Sequence, residues 1–156
     1  MRDNGRPMAA EDLAAAQAAA ERFLAAIDKS DHRAVWDCFS EIAQAFVLNR
    51  AVDRGMDFDL MSGIRDGTAS DEDVDRYLEE LLEGLRRDLR GVDIGRLIFE
   101  AKPEAETTTR QVRVVYLLEM DMAIGDQRPS IPAGSVIVAP QDDGTWKVDR
   151  LIPRPG

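Results

Sequence analysis

At Gly91 the spacing of apolar residues changes from about 3.6 to 2, so the chain must build helices before that point and strands after it. Upstream, Leu13, Ala16, Ala20, Phe23, Leu24 and Ile27 recur at helical spacing in an alanine-rich frame of high helix propensity. They predict a first helix ending near Lys29, with Asp31 placed to cap its successor. Val35, Phe39, Ile42 and Phe46 step by four, three and four, which predicts a second helix with all of them on one face and a stop at Gly55. Periodicity leaves residues 46–52 open between helix and strand. The stretch 55–70 has no sustained period and reads as a connector. Ser70 and Asp73 then form a start signal, and Val74, Tyr77, Leu78, Leu81, Leu85 and Leu89 make the stripe of a third helix. Acids crowd its first turn and Arg86, Arg87 and Arg90 its last, matching the helix dipole at both ends.

Downstream, Val92, Ile94 and Ile98 predict a first strand, and residues 110–122 give the clearest one. Val112, Val114, Tyr116, Leu118, Met120 and Met122 make one face of it wholly apolar. The other is apolar only at Val115 and Leu117, with Arg113 at one end and Glu119 and Asp121 at the other. Val136-Ile137-Val138 predicts a third strand. Asp143-Gly144 is a hairpin signal, and Trp146, Val148 and Ile152 form a fourth strand beyond it, Trp146 sharing its face with Val148 and Arg150. Helices followed by hairpin-linked strands imply an α+β domain: three N-terminal helices on one face of a curved antiparallel sheet of about four strands, over residues 9–153, after a disordered lead-in of residues 1–8.

Composition removes whole classes of function. A net charge of −10 opposes binding to nucleic acid or to anionic membranes. One cysteine, Cys38, and one histidine, His32, allow neither an intrachain disulfide nor the usual zinc ligand set. No apolar run is long enough for a membrane span, and Glu11, Asp12, Glu21 and Arg22 interrupt the alanine-rich start where a signal peptide would need a clean apolar stretch. The expected address is cytoplasmic. Counting from Asp57, Met61, Ser62 and Thr68 stand at the fifth, sixth and twelfth positions, so the connector's acids do not form a calcium loop. The phosphate-binding loop, the dinucleotide fingerprint, the serine elbow and the zinc-protease helix motif are all missing, and no cofactor or metal is expected. His32 falls in the first turn of the second helix, where it is expected to be exposed.

The run FLAAIDKSDHRAVWDCFSE, with a further helical region and then an antiparallel sheet, resembles the nuclear transport factor 2-like superfamily and its cystatin-like relatives. The chain departs from that pattern where the family places a strand between its second and third helices. The resemblance implies a cone-shaped fold with an apolar pocket at its open end, used by isomerases, dehydratases, epoxide hydrolases and polyketide cyclases and also by noncatalytic binding modules. Fold alone does not choose among these.

Within such a cone Tyr116, Trp146, Met120, Tyr77 and Arg150 are the pocket candidates, and Arg113 with Glu119 an alternative polar set. Tyr116 stands mid-strand on the apolar face, where its hydroxyl needs a partner if buried. Arg113 and Glu119 are either pocket groups or the charged rim of an outer face centred on Val115 and Leu117. Two readings of function remain. One is a noncatalytic module for a small apolar ligand or a protein partner, dimeric through its outer sheet face. The other is a lyase, isomerase or polyketide-cyclase-like enzyme acting on a hydrophobic small molecule, with Tyr116 as hydrogen-bond donor and a carboxylate from the connector or the rim as base.

Overall fold

A computed structural model describes residues 8–104, 110–119, 125–127 and 129–153. Five α-helices precede four strands: α1 (Ala10–Asp28), α2 (His32–Cys38), α3 (Glu41–Asp53), α4 (Phe58–Asp66) and α5 (Asp71–Asp88), then β1 (Leu97–Pro103), β2 (Val112–Glu119), β3 (Ser130–Pro140) and β4 (Trp146–Pro153). The strands form one antiparallel sheet in the order β1-β2-β3-β4. This is the α+β arrangement that the change of period at Gly91 implies, and Gly91 itself takes φ +86 just after α5.

The helical half holds more elements than periodicity suggests. The expected second helix is broken at Phe39 and Ser40, both extended. Ser40 donates its backbone N–H to the Val148 carbonyl at 2.9 Å, and its Oγ accepts from the Ala43 N–H at 3.1 Å as the cap of α3. These two non-helical residues reset the phase of α3 relative to α2. Val35 and Phe39 are buried, but Ile42 is 79% exposed and Phe46 58% exposed, while Ala43, Leu48 and Ala51 turn inward. Residues 46–52, open between helix and strand in the sequence, are helical. The connector contains α4, capped by Asp57 and closed by Gly67 at φ +79.

The main core lies between α1 and the inner face of the sheet. Phe23 and Leu24 are wholly buried and Ile27 nearly so. They meet Val112, Val114, Tyr116, Val136, Val138 and Val148, also with no exposed surface. A second cluster gathers Leu48, Ala51, Met61, Ile64, Tyr77 and Leu78 from α3, α4 and α5, and Trp36 and Leu81 border both clusters. Edge-to-face contacts run Phe23–Phe39, Phe39–Trp36 and Trp36–Tyr77, with centroids 5.2, 6.2 and 6.2 Å apart.

In the sheet, β1 begins later than expected, because residues Ile94–Arg96 form a 3₁₀ turn and Leu97 is the first strand residue. Strand β3 extends well beyond Val136–Val138 on its N-terminal side. Pro132 and Gly134 hide that extension in the sequence, and the fold accommodates them at a register shift opposite Tyr116 and Leu117. A second shift makes Asp149 an extra residue: Val138 faces Val148, whereas Ile137 faces Arg150. The shift overturns the expected common face of Trp146, Val148 and Arg150. Trp146 and Val148 pack into the core, while Arg150 is exposed beside Ile137.

Candidate functional site

The four pocket candidates among the described residues do not converge on one cavity. Tyr116 and Trp146 belong to the main core, Tyr77 to the helical cluster, and Arg150 is exposed. Met120 lies outside the described residues, as do Met122 and Asp121 of the same expected strand. Tyr116 belongs to the buried cluster that also holds Phe23, Leu24 and Ile27 of α1, and among the described residues the buried polar or charged ones are Ser40 and Ser135.

Tyr116 has no exposed surface, and its hydroxyl has no hydrogen-bond partner among the described residues. Its ring lies over Gly134, the residue opposite it on β3. A Cβ on Gly134 would sit 2.0 Å from the hydroxyl oxygen and 2.8 Å from the Ile152 carbonyl oxygen. An aromatic ring covering a cross-strand glycine is a packing device. Burial, followed by the charge of Asp88, pushes the phenol up to about 12. Tyr77 also rises to about 12, through burial and then Glu80. Replacing Tyr116 by phenylalanine removes an orphaned hydroxyl, whose burial costs about 1–3 kcal/mol. The variant is therefore expected to be at least as stable as the parent in urea titration; a clear loss of stability would mean that the hydroxyl has a partner.

The chain has two tyrosines, and both are buried. Each binds its proton more tightly folded than unfolded, where phenols titrate near 10. Between about pH 10 and 12 the unfolded state therefore holds fewer protons, and stability falls as pH rises, by about 1.4 kcal/mol per pH unit for each tyrosine. Absorbance at the tyrosinate band is expected to stay flat to about pH 11 and then to rise together with loss of helical circular dichroism. A rise near pH 10 with the fold intact would contradict the burial.

Polar groups are concentrated elsewhere. Asp149 accepts from Ser40 Oγ at 2.6 Å and from Gln111 Nε2 at 2.7 Å, fastening the β4 bulge to the joint between α2 and α3. Beside that joint lies an open cleft of about 610 Å³, bordered by Asp37, Glu41, Gln44, Asp142, Asp143 and Lys147 among others. Lys147 Nζ donates to the Asp37 carbonyl across it at 2.5 Å. His32, expected to be exposed, is partly covered: its Nε2 lies 2.9 Å from Asp75 Oδ1, which also accepts from Arg33 Nε at 2.7 Å. Those two contacts, Arg33 first, hold the Asp75 carboxyl below the usual range. Burial raises the Cys38 thiol. Among the described residues no group of three or more His, Cys, Asp or Glu is placed to hold a metal ion, and no helix is long and apolar enough to cross a membrane.

The outer face of the sheet is organised differently. Cross-strand register places Lys102, Arg113, Ile137 and Arg150 in one row, Glu100, Val115, Ser135 and Ile152 in the next, and Ile98, Leu117 and Pro132 in a third. Glu119 stands at the far end of β2. Ile98 is 44% exposed, Val115, Leu117 and Ile152 are half-buried, and none of them belongs to either core cluster. Arg113 Nε donates to Glu104 Oε2 at 2.8 Å, which fixes its guanidinium at the basic end. On this face Val115, Leu117, Ile98 and Ile152 lie among the charged residues Glu100, Lys102, Arg113 and Arg150, and Ser135 and Ile137 are buried.

Comparison with family models, with curated proteins and with solved structures finds no match in any of the three.

Proposed function

We propose that the chain is a noncatalytic binding module that works through the outer face of its sheet, with a protein partner, a second copy of the chain in the simplest case. The observation that carries this reading is the contrast between the two sheet faces. The inner face meets α1 in a core without buried charge among the described residues, whereas the outer face carries Val115, Leu117, Ile98 and Ile152 outside both clusters. A general acid or base needs a titratable group within reach of a substrate. Tyr116, the donor that an enzyme reading would use, is packed against Gly134 and raised to about 12. Membership of the nuclear transport factor 2-like superfamily belongs to the same proposal. Element order supports it, and the helical α3, where the family has a strand, departs from it.

Leu117→Arg tests the reading. The side chain is outside both clusters, so the variant is expected to fold with a melting temperature close to the parent's. By equilibrium sedimentation it should be a monomer at concentrations where the parent associates. An associated Leu117→Arg variant, or a parent that stays monomeric throughout, would remove the outer face as a self-binding surface.

A further inference from the structure

We draw no further inference here: the strongest candidate, the open cleft between the α2–α3 joint and the β3–β4 hairpin, is a cluster of carboxylates (Asp37, Glu41, Asp142 and Asp143) with one base, Lys147, and among the described residues no unpartnered buried polar group is turned into it to show what it would hold.

Discussion

Gly134→Ala is expected to cost about 3 kcal/mol or more, lowering the melting temperature by roughly 6–12 °C. The new methyl group would enter the volume of the Tyr116 ring, 2.0 Å from its oxygen and 2.3 Å from the carbon that bears it, and would lie 2.8 Å from the Ile152 carbonyl. Neither neighbour yields cheaply. Tyr116 has no exposed surface and lies within the main core cluster, and the Ile152 carbonyl is part of the β4 backbone, which pairs with Gly134 at Pro153. Gly134 also has φ +155, whereas Gly144 in the hairpin turn has φ +88, and a Cβ on Gly144 would meet nothing within 4 Å. Gly144→Ala therefore carries only the backbone penalty, about 1–2 kcal/mol. Thermal denaturation of the two variants separates close packing from backbone strain. Equal losses would mean that the tyrosine ring gives way.

Phe23→Ala is expected to cost about 3–5 kcal/mol, the range for truncating a buried aromatic residue. Phe23 has no exposed surface, sits well inside α1, and makes the edge-to-face contact with Phe39 at 5.2 Å. Phe39 is extended between α2 and α3 and pairs with Val148, so its ring is held by backbone that cannot slide inward to fill the gap. Urea unfolding followed by tryptophan fluorescence measures the loss and also reports its route. Trp36 lies one aromatic contact further along, at 6.2 Å from Phe39, and its environment should change in the folded state. A loss below about 1 kcal/mol would show that the core collapses around the missing ring.

The layer order is legible because two strong periodicities meet at one glycine, and α1 and α5 track their apolar stripes closely. The break at Phe39 and Ser40 is hidden for a physical reason. Val35, Phe39, Ile42 and Phe46 keep helical spacing straight through it, and periodicity is blind to an interruption that happens to preserve the count. Ser40 followed by Glu41 is a helix-start signal that exposes it. On the sheet, the two faces of β2 can be read residue by residue because alternation is regular there. Alternation puts Arg150 on the wrong face because a one-residue bulge at Asp149 inverts every side chain beyond it, and nothing local in the sequence marks it. The candidate site is therefore half legible: Val115, Leu117, Arg113 and Glu119 come from alternation alone. Placing Lys102, Arg150 and Ile152 on that face requires the register of four strands.

Tyr116 and Leu117 are neighbours in sequence that face opposite sides of the sheet, one into the core and one outward. The solution mass of Tyr116→Phe and Leu117→Arg, measured side by side by equilibrium sedimentation over a range of concentrations, therefore separates interior from working surface. Tyr116→Phe is expected to associate as the parent does and Leu117→Arg is not. Association lost in Tyr116→Phe and kept in Leu117→Arg would contradict the outer-face reading.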